Sequence, residues 1–263
     1  MDENYIKNAR LKKISWRDKI KASLVHLLVS IAIAGILATF LLTLWYPYPY
    51  REISGGRELL TIITIVDVVL GPLITLIVFN RNKSFKELFS DFCVIATIQI
   101  SALSFGVWTA YSARPVYLAF EYHRLAVVHA ADIDPEMIKQ APEEFRRLPL
   151  TGPALISLRP LQGADALDST MLALNGIPQS AQPNLWQEYS QEKPQILREA
   201  KSIEQLKDKF PGKIELINKK IQQTGLSSEK ILYLPLISRK NAWTALLDSS
   251  TATPVGFINI DSF

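Results

Sequence analysis

Asp67 is the only acidic side chain within the three long apolar runs of this chain, Ile20–Trp45, Leu59–Phe79 and Phe92–Tyr111. An ionised carboxylate near the centre of a bilayer costs at least ~2.5–3.5 kcal/mol, so it must be buried between helices, paired or protonated. Thr64, Asp67, Gly71 and Thr75 follow the i, i+3, i+7, i+11 rule and share one helical stripe. A small and polar stripe of this kind favours close approach of other helices in lipid. Pro72 removes its own donor and pushes away the carbonyl of Val68, which predicts a kink there. Ala96, Gln99, Leu103, Gly106 and Ala110 form a matching stripe on the third run. Counting inward from Leu59 at ~1.5 Å per residue puts Asp67 ~12 Å below the membrane edge. Gly106 and Thr39 lie nearest to that depth and Gln99 lies further away, so Thr39 is the expected hydroxyl donor. Three readings of Asp67 stand side by side: a packing residue that fixes how three helices meet, a grip on a partner's transmembrane helix, and a proton or ion relay. The relay is the poorest of these, because one Asp, one Gln and a few hydroxyls line no pathway. His26 reads as an interfacial side chain near the cytoplasmic end of the first run.

Outside the runs, little is arranged for chemistry. His123 and His129 flank one predicted strand, but no carboxylate or thiol cluster stands at ligand spacing. Asp132-x-Asp134-x-Glu136 resembles a calcium loop without its glycine, and Pro135 explains Asp134 as a helix cap. No Gly-x-Ser-x-Gly, His-Glu-x-x-His, Walker or Gly-x-Gly-x-x-Gly pattern occurs. An intramembrane aspartyl protease needs a second carboxylate. The expectation is a protein that is not an enzyme and uses no cofactor or metal.

The elements that must position Asp67 follow from the runs, since ~20 apolar residues cross a ~30 Å hydrocarbon core. Residues 1–19 form a basic segment, 20–111 a three-helix membrane domain, and 112–263 a separate domain long enough for its own core. The formal net charge of +4 is less informative than where the charge sits. Lys7, Arg10, Lys12, Lys13, Arg17, Lys19 and Lys21 precede the first run, and Arg81, Lys83 and Lys86 lie in the second loop. The positive-inside rule makes both cytoplasmic, so three crossings place the last domain outside, in the periplasm of a bacterium. Without interleaved aromatic residues the basic cluster is a poor nucleic-acid site and fits the lipid bilayer as its partner. Trp45, Tyr46, Tyr48 and Tyr50, with Trp108 and Tyr111, fall at the outer interface, where such rings prefer the headgroup layer. The first run is too long for a signal-peptide core, and no small-residue cleavage pattern follows it, so it is expected to stay. Cys93 reads as a packing thiol.

In the last domain, Arg114–Glu121 and Leu125–Ala130 read as a hairpin and Ala154–Arg159 as a third strand. Asp134-Pro135 opens a short helix that Pro142 breaks, and Ala164–Asn175 is a helix ended by Gly176. Pro183–Gly225 reads as helical pieces, one with a Ser202/Gln205 capping box and one with the apolar face Ile214, Leu216, Ile217 and Ile221. Ile231–Leu236, Ala242–Asp248 and Pro254–Ile260 read as three final strands. The fold class is therefore α+β: three N-terminal transmembrane helices, then a periplasmic α+β domain with a mainly antiparallel sheet.

Particular residues carry a resemblance. Leu44-Trp45-Tyr46-Pro47 ends the first run, Gly55-Gly56 lies in the outer loop, and Val66-Asp67-Val68-Val69-Leu70-Gly71-Pro72 opens a long apolar stretch. Gly106-Val107-Trp108 and Arg114-Pro115-Val116-Tyr117 follow. Together they resemble the type IV pilin accessory proteins, the TfpX/TfpZ or FimB-like family. The likeness is strongest over residues 20–135, and no catalytic residue carries over. The resemblance implies an inner-membrane, pilin-specific chaperone or assembly factor that works with a cognate major pilin, with other pilus assembly proteins as further partners. On that reading Thr39, Thr64, Asp67, Gly71, Pro72, Thr75, Gln99 and Gly106 form the partner-helix site, and Trp45, Tyr46, Pro47, Gly55 and Gly56 the family-like outer loop. The alternative is a membrane-anchored periplasmic sensor or ligand-binding protein. A sensor needs a cytoplasmic output, and the cytoplasmic parts are short basic segments.

Overall fold

The computed structural model describes residues 16–80 and 83–263. The basic residues Lys7, Arg10, Lys12, Lys13 and Arg81 lie outside the described residues. Among the described residues, three helical stretches are long and apolar enough to cross a membrane: Trp16–Trp45, Gly56–Val78 and Phe85–Ser112. The chain divides into two compact units. One runs up to Phe40 and resumes over Glu58–Thr109, and the other joins Leu41–Arg57 to Ala110–Phe263.

Helix α1 (Trp16–Phe40) of the helical unit is followed in the chain by a wider, π-helical turn at Leu41–Trp45, which belongs to the second unit. After the short helix α2 (Tyr50–Ile53), the second crossing is composite: α3 (Gly56–Thr64), a π-helical stretch Ile65–Leu70, then α4 (Gly71–Val78). What the sequence reads as a kink at Pro72 is this widened turn, placed just ahead of the proline. A proline ring collides with the carbonyl four residues back, and letting the preceding turn take an extra residue removes the collision. Helix α5 (Phe85–Ser112) begins with a capping box. The Ser84 N–H donates to the Glu87 carboxylate at 2.8 Å, and the Glu87 N–H donates back to the Ser84 hydroxyl at 3.4 Å.

The second unit is built on one sheet of strands β1 (Pro115–Glu121), β2 (Arg124–His129), β3 (Ala154–Leu158), β4 (Trp186–Glu188), β5 (Lys201–Ser202), β6 (Ile231–Ile237), β7 (Ala242–Asp248) and β8 (Pro254–Ile258). Their order is β4-β3-β1-β2-β6-β7-β8, with β5 paired to the start of β6. Most pairings are antiparallel, but β1 with β3 and β2 with β6 run parallel, so the sheet is mixed. Helices α6 (Ala164–Leu174), α7 (Lys193–Glu199), α8 (Ile203–Lys209) and α9 (Ile214–Thr224) fill the connections. Strands β4 and β5 fall in the stretch read as helical. They are two or three residues long and show no alternation, so only their neighbours make them strands.

Every residue of β1 is buried, although its sequence alternates, because the central strand is covered on both faces. One cluster packs Leu118, Phe120, Leu125, Leu234, Leu236 and Trp243 against Tyr50 and Ile53 of the first loop. The other packs Tyr117, Ala119, Ile156, Leu158, Leu185 and Trp186. Tyr46 and Tyr50, expected as interfacial rings, are both buried in this unit: Tyr50 joins the core cluster on the sheet, and Tyr46 lies against Gly56 with its hydroxyl on the Ala110 carbonyl. Helix α9 buries Ile217 and Ile221, while Ile214 and Leu216, also assigned to its apolar face, stay exposed. Two packing positions per three turns suffice for so short a helix against β8.

Candidate functional site

The helical unit gathers its polar residues where α1, the second crossing and α5 meet. His26 lies between Thr75 and Gln99: its Nδ1 is 2.6 Å from the Thr75 hydroxyl and its Nε2 2.8 Å from Gln99 Oε1. Since an amide oxygen only accepts, Nε2 carries the proton and donates, leaving Nδ1 to accept from Thr75 in the neutral ring. The Gln99 amide nitrogen then donates to the backbone carbonyl of Asp67 at 3.5 Å. Ser23 donates to the carbonyl of Pro72 at 2.9 Å, and Lys19 to that of Ile77 at 3.1 Å. All three helices are thus tied by side-chain hydrogen bonds, which in lipid contribute about 0.6–2 kcal/mol each.

Glycines make room for this network. A Cβ on Gly71 would collide with the Gln99 amide and lie 3.2 Å from His26 Nε2. A Cβ on Gly106 would stand 2.6 Å from Cγ1 of Ile63, so α5 and α3 touch backbone to side chain there. Asp67 itself is 7% exposed, and its Oδ1 has no hydrogen-bond partner. That oxygen belongs to a side chain lining two cavities. One of about 150 Å³ is bounded by His26, Ser30, Ala96, Gln99 and Leu103, and the other of about 290 Å³ by Ile63, Val66, Ala102, Leu103, Gly106 and Thr109. A wider apolar cavity of about 680 Å³ adjoins His26, Ala96, Gln99 and Phe92. These spaces exist because α5 packs loosely: between Phe85 and Thr109, Ile95 is its one buried residue.

Of the sequence-proposed residues, Asp67, Gly71, Pro72 and Thr75 are buried on one stripe, with Thr64, Gln99 and Gly106 half-buried beside it. The hydroxyl of Thr39 donates to the carbonyl of Gly35 at 2.9 Å on an exposed face of α1. His26, read as interfacial, is instead the hub of the network. Its signal was available: it lies one to two turns inside the first run, as Thr75 lies one turn inside the second, so matching depths from the basic side pairs them.

The family-like loop belongs to the second unit. Tyr46 is buried and its hydroxyl donates to the carbonyl of Ala110 at 2.9 Å. Burial pushes its phenol pKa well up, against the opposing pull of Arg239 and Arg114. The carbonyl of Pro47 accepts from the N–H of Tyr50 at 2.8 Å, and Trp45 lies 5.3 Å from the Tyr111 ring. Gly55 takes a positive φ of 81°, a conformation open to glycine. A Cβ on Gly56 would sit 2.7 Å from the Tyr46 ring. Elsewhere in this unit the structure separates the two histidines: His123 is at the exposed β1–β2 turn and His129 is fully buried at the far end of β2. Asp132 accepts from the N–H and Nδ1 of His129, both at 3.0 Å, and pairs with Arg239. Asp134 accepts from the N–H of Glu136 at 2.7 Å, but the helical turn begins later than expected, at Met137 with Glu136 as its N-cap, so Asp134 braces the bend before it.

Fold and site define a three-helix membrane protein with a mixed α+β domain and a polar core inside its spans. Residues 14–55 match the family of the fimbrial assembly protein FimB. The chain is 35% identical over 246 residues to the fimbrial assembly protein of serogroup I from Dichelobacter nodosus, covering 92% of this chain and 95% of that one. It is 33% identical over the same shares to the serogroup E1 protein of that organism. The chain belongs to the FimB family of fimbrial assembly proteins. No solved structure matches it.

Proposed function

We propose that this protein takes part in type IV pilus biogenesis as a non-enzymatic assembly factor of the inner membrane, holding the transmembrane helix of its cognate major pilin before assembly. Its family membership supports the pilus role, and the relatives are named for fimbrial assembly. The observation that carries the helix-holding reading is Asp67: a buried carboxylate oxygen without a partner, on the wall of cavities left open between loosely packed helices. A guest helix bearing a hydroxyl or amide at that depth supplies the missing donor, and Ala96, Ala102 and Gly106 allow its backbone to approach closely. The basic segment and second loop orient the N-terminus to the cytoplasm and the α+β unit to the periplasm. A subunit held both in the membrane and by the α+β unit gains effective concentration from the linkage.

Photo-crosslinkers at Ala96 and Ala102, both at cavity walls, are expected to trap the pilin helix in cells, while one at lipid-facing Ile77 does not. Equal or absent pilin adducts at all three positions, with normal protein in the membrane, overturn the reading.

A further inference from the structure

We infer that the loop Arg146–Gly152 is a lipid-contacting anchor that seats the α+β unit on the surface of the bilayer through Leu150. The inference rests on the membrane reading and is independent of the pilin partner. The loop is tied to the ends of two spans. The Gly152 N–H donates to the carbonyl of Leu44 at 2.6 Å, and Leu44 is the penultimate residue of the first span. Gly152 has a φ of 41°, and a Cβ there would stand 3.7 Å from the Pro47 ring.

On the other side the loop meets Arg114, two residues beyond the end of the third span at Ser112. This buried guanidinium donates to the carbonyl of Pro149 from Nε at 3.4 Å and Nη2 at 3.3 Å. Its Nη1 donates to the carbonyl of Tyr111 at 2.7 Å, and Cζ lies 3.9 Å from the centre of the Tyr111 ring. The loop therefore lies level with Trp45 and Tyr111, whose ring types favour the headgroup layer.

At that level the loop turns an apolar side chain outward. Leu148 and Phe145 pack on the core cluster around Trp186, whereas Leu150 is 65% exposed. Arg146 and Arg147, four and three residues before it, are also exposed, as are Glu143 and Glu144 further back, and Arg146 donates to the carbonyl of Ala141 at 3.1 Å. An apolar tip preceded by exposed cations fits phospholipid at the membrane surface: the leucine enters the acyl boundary and the Arg147 guanidinium meets a phosphate. The loop is hydrogen-bonded to Leu44 and, through Arg114, to Tyr111, residues of the last turns of two apolar stretches, which is why the bilayer, rather than a protein, is the occupant.

The test uses the full chain with Cys93→Ser, labelled with a small fluorophore at Leu150→Cys and, separately, at Glu229→Cys. Glu229 is exposed just before β6, at the opposite end of that strand from Lys240, whose N–H donates to the carbonyl of Ile53 in the first loop at 3.3 Å. Each sample is reconstituted in phosphatidylcholine–phosphatidylglycerol vesicles with and without lipid carrying a headgroup nitroxide. Quenching is expected to be several-fold stronger at position 150 than at 229. Equal weak quenching at both sites overturns the anchor, and so does a shielded but unquenched probe at 150, which means protein covers it. Both labelled positions are exposed, so folding is preserved, and loss of pilin binding leaves this readout unchanged.

Discussion

Two positions, Asp67 and Gly56, make the sharpest tests at the residue scale. Asp67 keeps one carboxylate oxygen unmatched inside the helical unit, an expensive arrangement in lipid that makes sense if a partner supplies the donor. Asp67→Asn retains an accepting oxygen and is expected to keep membrane level and pilus output near wild type. Asp67→Leu removes the acceptor; losing one hydrogen bond of about 0.5–1.5 kcal/mol weakens a guest helix about two- to tenfold. Pilin co-purification and pilus counts read the difference, and identical behaviour of the two variants would falsify a role for the acceptor. Gly56 is the second. Its missing Cβ is where the Tyr46 ring lies, so Gly56→Ala forces an overpacked contact costing about 1–3 kcal/mol. Thermal unfolding of the purified full chain should move down accordingly, and Gly212→Ala, with nothing within 4 Å of its Cβ, should barely move it.

At the scale of elements, Asp132 ties the turn after β2 to the β6–β7 connection through Arg239. Burial opposes its charge, but hydrogen bonds from His129 and Arg239 outweigh that and hold its pKa down at about 2, against an ordinary 3.8. A carboxyl depressed on folding stabilises the native state fully above its unfolded value, and the contribution disappears as pH falls through the folded one. Acid unfolding followed by tryptophan fluorescence should thus show a loss of stability between about pH 4 and pH 2. Asp132→Asn is expected to lower stability at neutral pH and flatten that acid limb. A variant with an unchanged limb means that other carboxylates govern it. Arg239→Gln should cost less, because a half-exposed pair contributes about 0–1 kcal/mol and the two His129 bonds remain.

For the whole molecule, the division into units is the organising fact. Leu41–Arg57 leaves the first span and returns to the second, yet folds with Ala110–Phe263. The loop that carries the family-like residues is therefore part of the α+β core, with Tyr50 and Ile53 under the sheet. A chain so built cannot lose its first loop without opening the second unit. Topology is tested at the same scale. An alkaline phosphatase reporter joined after Phe263 should be active and a β-galactosidase reporter inactive, and the reverse pattern would place the α+β unit in the cytosol and remove the proposed meeting with pilin.

The sequence alone determined the three spans, the polar stripe and most strands, because apolar length and short-range periodicity are local properties that survive without a partner. It also carried the family likeness, through Gly-Pro and Tyr-Pro positions that constrain the backbone locally. Tertiary structure decided the rest. His26 is polar in an apolar run and its depth matches that of Thr75, but only the packed helices bring Gln99 to its other nitrogen. Strands β4 and β5 are too short to carry a period, and the parallel partners of β1 and β2 come from distant segments. Tyr46 and Tyr50 have the composition of interfacial rings, and only tertiary contacts bury them, the sheet over Tyr50 and the Gly56 and Ala110 backbone at Tyr46. Contacts between residues far apart in the chain are set by how elements stack, and that depends on the whole fold.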